Sequence, residues 1–263
     1  LREAGFEVGR AAVPAGEESK SLNYALYLYD QAIEHGLDRN SLIVALGGGV
    51  VGDLAGYVAA TYLRGIRYVQ VPTSVVALVD SAVGGKTGVN LKQGKNLIGC
   101  FHQPSLVVAD IDTLSTLPDR EYRSGMAEVV KYGVIWDADF FELLEANCKE
   151  LLKGPSALME DVVARCCSIK AEVVRRDERE GGLRAILNFG HTVGHAIEKV
   201  AGYGEYLHGE AISVGMNYAA YLSVAMKGMT QADGVHIVSL LKDMGLPTKA
   251  PGCEWGALRE AIG

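Results

Sequence analysis

Short β-branched runs alternate with helical stretches up to about residue 118, and beyond that point only helical periodicity remains. Alternating strands and helices are typical of an α/β fold with a parallel sheet, whereas an unbroken series of helical stretches indicates an all-α domain. We therefore predict two domains, an α/β domain over residues 1–118 and an all-α domain over residues 119–263. Ligands commonly bind in clefts between such domains.

The individual elements are predicted from the spacing of the apolar residues. In the α/β domain we expect strands at 6–13, 41–46, 68–71 and 106–109, and helices at 22–35, 54–63 and 75–79. In the helical domain we expect helices at 121–136, 140–153, 158–175, 210–227 and 235–244, with one more around residue 191. The run 41–46 is almost wholly apolar, which is typical of a strand buried in a parallel sheet.

A glycine-rich turn follows the second predicted strand. Gly47, Gly49 and Gly52 have the spacing GxGxxG and stand ahead of a predicted helix. Glycines in that position let the backbone approach a pyrophosphate, and the helix N-terminus supplies amide donors. The acidic residue that usually binds the ribose about 20 positions later is absent, since Arg67 and Tyr68 occupy that region. The motif predicts a Rossmann-like dinucleotide site, with a plain strand-to-helix turn as the alternative.

Two glycine–lysine pairs come soon afterwards, in Gly84-Gly85-Lys86 and Gly94-Lys95. A flexible glycine beside a compact ammonium group suits a phosphate, so we predict that these two loops contact one. They do not form a P-loop, because the spacing GxxxxGK[ST] fails at Asp80.

Three of the six histidines lie close together in the helical domain. The i, i+4 spacing of His191 and His195 places both imidazoles on one helix face, where both bind one metal or one of them binds a substrate. His208 follows soon after. Glu128 stands three residues before Lys131 in an apolar turn, so it is either half of an ion pair or a metal ligand. Two histidines and one carboxylate would make an open catalytic zinc site, whereas the alternative is a set of ordinary polar residues.

Composition argues against several other classes of function. The formal net charge is −7 and no basic tract is interleaved with aromatic residues, so a nucleic-acid surface is not expected. No uncharged apolar run reaches the length of about 18 residues that a membrane span needs. The five cysteines have no framework spacing and indicate reduced thiols in a cytoplasmic protein. Because the chain begins at Leu1 without methionine and ends abruptly at Gly263, we expect it to be a fragment truncated at both ends.

Several motifs taken together resemble those of the 3-dehydroquinate synthases, members of the sugar phosphate cyclase superfamily. These motifs are GGGVVGDLAGYVAATYLRG, VPTSVVALVDSAVGGKTGVN, GKNLIG, GMAEVVKYG, LNFGHTVGHAIE and YLHGEA. The resemblance runs from Pro14 to about Pro247. It implies a Rossmann-like NAD-binding domain followed by an all-α metal- and substrate-binding domain. It also implies an NAD- and zinc-dependent (or cobalt-dependent) lyase of the shikimate pathway, which converts 3-deoxy-D-arabino-heptulosonate 7-phosphate to 3-dehydroquinate and phosphate.

The same resemblance implies roles for individual residues. It makes Glu128, His191 and His208 the metal ligands, so that His195 handles a proton and contacts the phosphate instead of binding the metal. Residues that would bind or act on the sugar phosphate are Asp80, Lys86, Asn96, Lys131, Lys170, Arg184 and Asn188, with Arg64 arriving across a homodimer interface. Residues that would bind NAD are Glu17, Glu18, Ser19, Lys20, Gly49, Val50, Val51, Gly52, Asp53, Thr73, Ser74, Lys86, Lys95, Thr113, Leu114, Ser115 and Thr116.

Three alternatives stand beside this interpretation. A sister cyclase, such as a 2-deoxy-scyllo-inosose or 2-epi-5-epi-valiolone synthase, would be expected to differ at the positions of His195 or Asn188. A zinc-dependent polyol dehydrogenase would release NADH and would not need Lys86, Asn96 and Arg64 together. A catalytically inactive binding module would not need an intact set of metal ligands.

Overall fold

The computed structural model describes residues 1–178, 180–202 and 204–262. The chain divides into two compact units. The first consists of residues 1–73 and 81–110, and the second consists of residues 74–80 together with the chain from 111 onwards. The domain boundary at residue 118 stays a prediction. The segment 74–80 belongs to the helical unit although it lies within the predicted α/β stretch.

The first unit contains a small parallel sheet and an antiparallel ribbon. Strands β1 (Leu42–Gly47), β2 (Arg67–Pro72) and β5 (Leu106–Val107) pair in parallel in the order β1-β2-β5. Strands β3 (Lys86–Leu91) and β4 (Gly94–Phe101) pair with each other in antiparallel register. The helices of this unit are α1 (Leu22–Glu34) and α2 (Gly49–Thr61). The predicted α/β class is confirmed.

Side chains of β1 alternate between the two faces of the sheet. Ile43 and Ala45 face the helices, and Ile43 packs with Leu54 of α2. The alternate residues Leu42, Val44 and Leu46 are 42%, 40% and 63% exposed. The prediction that this strand is buried on both faces is therefore wrong. In the part of the chain that the structure describes, helices of this unit pack on one face of β1 only.

Glycines bring α2 close to the strands. A Cβ atom on Gly56 would lie 2.5 Å from Cγ2 of Thr87, and one on Gly52 would overlap Oε1 of Gln70. Close packing of this kind is the role of a glycine in the first helix of a dinucleotide-binding unit. The helix begins at Gly49, whereas the apolar spacing predicted a start at residue 54.

Two local predictions in this half of the chain are wrong, and a third is confirmed. Residues 6–13 form no strand, since no described strand pairs with them and a lone strand leaves its backbone groups unbonded. Lys86 and the pair Gly94-Lys95, predicted to lie in loops, belong to the β3–β4 ribbon, whereas Gly84 and Gly85 lie in the turn before β3. In the ribbon Gly88 and Gly99 face each other and allow the two backbones to approach closely. The helical stretch predicted at 75–79 is confirmed, since residues 75–81 are helical and the part from Ala77 to Ser81 is a π-helix.

The second unit is helical. Its α-helices are α3 (Asp119–Trp136), α4 (Ala138–Leu151), α5 (Ala157–Arg176), α6 (His191–Ala201), α7 (His208–Ala225), α8 (Gln231–Asp243) and α9 (Trp255–Ile262). Two 3-10 segments, Ile111–Thr116 and Leu183–Asn188, precede α3 and α6. The all-α character predicted for this part is confirmed. None of the described helices has the length and apolar composition that crossing a membrane requires.

Helix α3 is the centre of the second unit. Residues such as Met126, Val129, Val130 and Tyr132 are fully buried, and they pack against side chains of α4, α5, α7 and α8. A helix that is apolar on most of its surface is one that other helices surround. The charged residues Glu128 and Lys131 lie within this buried stretch, so their side chains need partners inside the protein.

Candidate metal centre and active site

The start of α7 rests directly on α3. The amide nitrogen of Gly209 donates to Oγ of Ser124 at 3.0 Å, and a Cβ atom on Gly209 would overlap the carbonyl oxygen of Ser124. His208 is the first residue of α7, and Glu128 lies one turn beyond Ser124 on α3. The glycine therefore lets His208 approach Glu128.

A second set of glycines brings α6 onto α7. Gly190, which caps α6, has a φ of 80°, a left-handed conformation that glycine adopts without strain. A Cβ atom on Gly215 would overlap the carbonyl oxygen of Gly190, and one on Gly194 would lie 2.6 Å from Cδ1 of Ile212. Because the two helices are this close, His191 at the start of α6 lies beside His208.

The three predicted metal ligands converge on one point. Oε1 of Glu128 lies 3.5 Å from Nε2 of His191 and 3.2 Å from Nε2 of His208. Metal–ligand distances of about 2.1 Å in a tetrahedron give ligand–ligand separations of about 3.4 Å. The structure thus gathers one carboxylate oxygen and two imidazole nitrogens at the spacing that a divalent metal requires.

The protein orients and tunes these ligands. Nδ1 of His191 bonds to the carbonyl oxygen of Phe189 at 3.1 Å, which leaves Nε2 for the metal. Burial lowers the pKa of His191 to about 4, so this imidazole is neutral at physiological pH. Burial would raise the pKa of Glu128, but the Lys131 ammonium and the two imidazoles outweigh it and lower that pKa to about 2.

His208 has the opposite shift to His191. Burial would lower the pKa of His208, but the Glu128 and Glu198 carboxylates outweigh burial and raise the pKa to about 9. In the metal-free protein this imidazole is therefore protonated near neutral pH. A metal must displace that proton in order to bind.

A buried cluster of charges adjoins the ligands. The ammonium of Lys131 forms ion pairs with Glu128 and, at 3.6 Å, with Oδ1 of Asp80. The ammonium of Lys170 lies 2.8 Å from the same Oδ1 and 2.7 Å from the carbonyl oxygen of Asp80. The hydroxyl of Tyr132 donates to Oδ1 of Asp80 as well, at 2.7 Å. The ion pair between Glu128 and Lys131 and the ligand role of Glu128 were alternatives from sequence, and the geometry supports both.

Charge and burial compete within the cluster. Burial would raise the pKa of Asp80, but Lys131 and Lys170 outweigh it and hold that pKa well below its usual range. Burial lowers the pKa of Lys170, assisted by the neighbouring Lys131 ammonium, although Asp80 opposes the shift. Burial and the Asp80 charge raise the pKa of Tyr132, so its hydroxyl stays a donor.

His195 lies beside the ligand set. Its ring centroid is 5.3 Å from that of His191 and 5.9 Å from that of His208. Nδ1 of His195 bonds to Oε2 of Glu198 at 2.7 Å. Sequence reasoning assigned no role to Glu198, although its position three residues after His195 on one helix placed the two side chains on the same face.

Arg184 and Asn188 lie on the 3-10 segment that leads into α6. Arg184 is 2% exposed, and its Nη1 donates to the carbonyl oxygen of Glu178 at 2.6 Å. The carboxylate of Asp177 accepts the amide of Arg184 at 2.9 Å, which fixes the preceding loop. Nδ2 of Asn188 donates to Glu180 at 3.1 Å. Both residues therefore lie on a hydrogen-bonded 3-10 segment that ends three residues before His191.

The first unit brings several predicted NAD residues together. Lys20 forms an ion pair with Asp53 near the start of α2. Asn90, which sequence reasoning missed, connects the neighbouring segments: its Nδ2 donates to Glu17 at 2.7 Å, and its Oδ1 accepts the amide of Asn96 at 2.9 Å. Asn96 has a φ of 57°, a conformation that asparagine tolerates better than most residues.

The remaining predicted residues lie on the following elements. Gly49, Val50, Val51 and Gly52 form the first turn of α2, Lys86 begins β3, and Lys95 lies at the start of β4. The amide of Thr73 donates to the carbonyl oxygen of Gly47 at 3.0 Å, which places it at the glycine-rich turn, and Oγ of Ser74 accepts the amide of Ala77 at 3.4 Å. Glu18 and Ser19 belong to a 3-10 turn, as do Thr113, Leu114, Ser115 and Thr116.

The glycine-rich turn suits a dinucleotide. Helix α2 follows β1 at the turn Gly47–Gly49, and no side chain caps its first amides. Such amides at the carboxyl edge of a parallel sheet bind phosphate oxygens. The residues present therefore fit the pyrophosphate of a dinucleotide.

Two family profiles together match residues 10–263 of this chain. Residues 10–124 match the profile described as 3-dehydroquinate synthase N-terminal, and residues 125–263 match 3-dehydroquinate synthase C-terminal. A 3-dehydroquinate synthase from Desulforamulus reducens is 56% identical over 251 residues, which cover 95% of this chain and 70% of that protein. One from Pelobacter propionicus is 54% identical over 262 residues, covering 100% of this chain and 73% of the relative.

Solved structures of two other cyclases are also similar. A 2-epi-5-epi-valiolone synthase from Streptomyces hygroscopicus, with NAD⁺ and Zn²⁺ bound, is 30% identical with a TM-score of 0.89, covering 95% of this chain and 70% of that one. A 2-deoxy-scyllo-inosose synthase complexed with carbaglucose-6-phosphate, NAD⁺ and Co²⁺ is 36% identical with a TM-score of 0.88, covering 94% and 68%. A glycerol dehydrogenase from Schizosaccharomyces pombe, 17% identical with a TM-score of 0.68, covers 92% and 66% and shares the fold.

Proposed function

The chain belongs to the 3-dehydroquinate synthase family, and on that premise we propose that it converts 3-deoxy-D-arabino-heptulosonate 7-phosphate to 3-dehydroquinate and phosphate. The observation that carries the proposal is the convergence of Glu128, His191 and His208 next to a buried pair of lysines. That arrangement offers a metal site and a set of cations for an anionic, hydroxyl-rich substrate in one helical unit.

The cofactors of the proposed reaction are a divalent metal and NAD. When bound, the metal supplies Lewis acidity to substrate oxygens, and NAD⁺ supplies a transient hydride acceptor that is regenerated within the cycle. Glu128, His191 and His208 would hold the metal, which is zinc or cobalt, the two ions bound in the related cyclases. The glycine-rich turn from Gly49 to Asp53 would hold the pyrophosphate.

The protein's own groups supply positioning and proton transfer. His195 would take the proton from a substrate hydroxyl during oxidation, because imidazole is the side chain that most often transfers protons in enzymes. Lys170 and Arg184 would bind the substrate carboxylate, and Asp80, Lys131 and Asn188 would orient hydroxyl groups. Lys86 and Asn96 would bind the phosphate that is eliminated. Holding every group of the substrate in this way favours the later ring closure.

The further NAD contacts are proposed on the same basis. One group of proposed contacts lies beside the start of α2 and consists of Glu17, Glu18, Ser19 and Lys20. Additional proposed contacts are Thr73, Ser74, Lys95 and the 3-10 turn Thr113, Leu114, Ser115 and Thr116. The ion pair of Lys20 with Asp53 and the bond of Asn90 to Glu17 support this assignment for the first unit, because they fix the 17–20 segment beside the helix start.

The alternatives are less well supported. The sister cyclases among the solved structures are 30% and 36% identical to this chain, whereas the 3-dehydroquinate synthases above are 54% and 56% identical. The likeness to glycerol dehydrogenase shows only a shared fold. His195 and Asn188, which we expect a sister cyclase to change, are both retained.

The test is phosphate release from 3-deoxy-D-arabino-heptulosonate 7-phosphate with NAD⁺ and Zn²⁺, compared with a chelator-treated control. We expect metal-dependent phosphate release without net accumulation of NADH. Net NADH formation from a polyol would indicate a dehydrogenase. Absence of phosphate release by a preparation that binds both metal and NAD⁺ would contradict the proposal.

We also propose that the enzyme is a cytoplasmic homodimer in which Arg64 contributes to the partner's phosphate site. Arg64 is exposed on a turn where both it and Leu63 have positive φ values of 71° and 50°. Such strained conformations commonly mark functional segments. Mixing an inactive Arg64→Ala variant with an inactive His195→Gln variant should restore part of the activity, since a hybrid dimer regains one complete site. No recovery after subunit exchange would contradict the shared site.

A further inference from the structure

The carboxylate of Glu198 lies between two imidazoles. Its Oε2 is hydrogen-bonded to Nδ1 of His195 at 2.7 Å, and its Oε1 lies 3.7 Å from Nδ1 of His208, an ion-pair contact that is longer than a hydrogen bond. The side chain of Glu198 is 8% exposed. One buried carboxylate therefore faces both the proton-handling histidine and a metal ligand.

The position of Glu198 between the two imidazoles follows from the packing of α6 against α7. Glu198 lies three residues after His195, so one helix turn brings its carboxylate to that imidazole. His208 lies at the start of the neighbouring helix, which glycines 190, 194 and 215 hold close to α6. The carboxylate is thereby fixed between two elements of the site.

The chemical consequence concerns the two ring nitrogens of each histidine. A neutral imidazole that donates its Nδ1 hydrogen to a carboxylate keeps its lone pair on Nε2. In His208 the Nε2 atom is the one that lies 3.2 Å from Glu128, at the metal position. In His195 the same tautomer makes Nε2 the basic atom. A carboxylate behind a ligating histidine also raises the basicity of that ligand.

We propose that Glu198 is a positioning residue that sets the tautomer and ring orientation of His208 and His195 together. It links metal affinity to proton transfer through one side chain. The role of Glu198 in orienting His195 rests on the proposed function. Its role in orienting His208 rests only on the metal site.

The first test measures metal binding without turnover. Co²⁺ is titrated into the metal-free wild type, Glu198→Gln and Glu198→Asp, while affinity and the visible absorption spectrum are followed. We expect each variant to bind Co²⁺ about 10–100-fold more weakly than the wild type and with an altered spectrum, because His208 loses its supporting carboxylate. Glu198→Gln keeps the size of the side chain, and Glu198→Asp keeps its charge but shortens it.

The chain supplies a matched control in Glu145→Gln. Oε1 of Glu145 lies 3.2 Å from Nδ1 of His236, so it is also a carboxylate–imidazole pair, but it joins α4 to α8 on the surface. We expect this variant to bind Co²⁺ and release phosphate as the wild type does. If Glu198→Gln loses Co²⁺ affinity and Glu145→Gln does not, the loss comes from the position of Glu198 at the site and not from the removal of a carboxylate in general.

The second test isolates the His195 part. At saturating metal, Glu198→Gln should lower kcat for phosphate release with little change in KM, and adding Glu198→Gln to His195→Gln should lower kcat no further. Wild-type Co²⁺ affinity, spectrum and kcat in both Glu198 variants would overturn the proposal. If the wild type binds Co²⁺ but releases no phosphate, the proposed function fails, while the affinity comparison still decides the role of Glu198 at His208.

Discussion

A side chain at Gly215 would occupy the position of the carbonyl oxygen of Gly190, and this contact holds α7 against α6. The metal ligands His191 and His208 begin these two helices, so their separation depends on the contact. The metal site is thus built on close backbone packing as much as on its ligands.

Gly215→Ala should therefore weaken both folding and metal binding. The added methyl group must push the helices apart, and overpacking of this kind costs about 1–3 kcal/mol of unfolding free energy. Denaturant unfolding and Zn²⁺ titration measure the two effects. Gly256→Ala on α9 is the control, since its Cβ would meet nothing within 4 Å and alanine favours a helix by about 0.5–1 kcal/mol. Equal stability of the two variants would contradict the argument.

Replacing His208 and His195 one at a time should distinguish a metal ligand from a proton-handling residue. His208→Gln removes an imidazole that lies 3.2 Å from Glu128, so we expect loss of bound metal and of activity together. His195→Gln should retain the metal and lose kcat, typically by about 100-fold or more for a proton-transfer group. Metal content by atomic spectrometry and phosphate release are measured on both variants. Metal loss in His195→Gln would instead support the i, i+4 chelate.

Metal affinity should rise with pH. Since the pKa of His208 is raised to about 9 by Glu128 and Glu198, although burial opposes that shift, this imidazole is protonated at lower pH and must release its proton to bind a metal. The pKa of His191 is about 4, so that ligand adds no proton release above this pH. We expect release of about one proton per metal near pH 7, and an apparent affinity that rises about tenfold per pH unit from pH 5 to 8.

Calorimetric titration of the metal in buffers of different ionisation enthalpy measures this proton release. In His208→Gln the proton release should disappear along with most of the affinity. A pH-independent affinity in the wild type would show that His208 is neutral in the metal-free protein.

Asp80→Asn and Tyr132→Phe should differ strongly in stability. Asp80 is the shared partner of Lys131 and Lys170, so its neutralisation leaves an excess of buried positive charge, which costs about 3–5 kcal/mol. Tyr132→Phe removes one hydroxyl donor to Asp80 and keeps the ring, which costs about 1 kcal/mol. Chemical unfolding of the metal-free variants compares them. A larger loss in Tyr132→Phe would mean that the hydroxyl, and not the ion pairs, holds Asp80.

Strong local patterns in the sequence marked Glu128, His191 and His195 as candidate metal ligands. The charged residues Glu128 and Lys131 in an apolar turn, and the histidines at one-turn spacing, each required a partner inside the fold. The choice between His195 and His208 as the second imidazole ligand came from the family resemblance. Spacing along one helix could not decide it, because that choice depends on how close α7 comes to α6.

Other features depend on contacts that are distant in sequence. Residues 6–13 carry a strand-like pattern, but a strand forms only where a partner is present. The two glycine–lysine pairs were predicted to lie in loops, yet Lys86, Gly94 and Lys95 belong to a ribbon whose facing glycines, Gly88 and Gly99, allow close approach. Asn90 gave no signal, because its importance arises from segments that meet only in the folded chain.

The four side chains linked by ion pairs through Lys131 and Asp80 are two carboxylates and two ammonium groups, whose charges sum to zero among themselves. Electroneutrality limits how this site can change over evolutionary time. A single substitution that removes or reverses one of these charges leaves an unpaired ion in a buried site. A pair of compensating substitutions keeps the net charge of the cluster unchanged. A library that randomises positions 80, 128, 131 and 170 together should therefore yield folded members mainly with balanced charge, and new substrate preferences at this site should arise by compensated double steps.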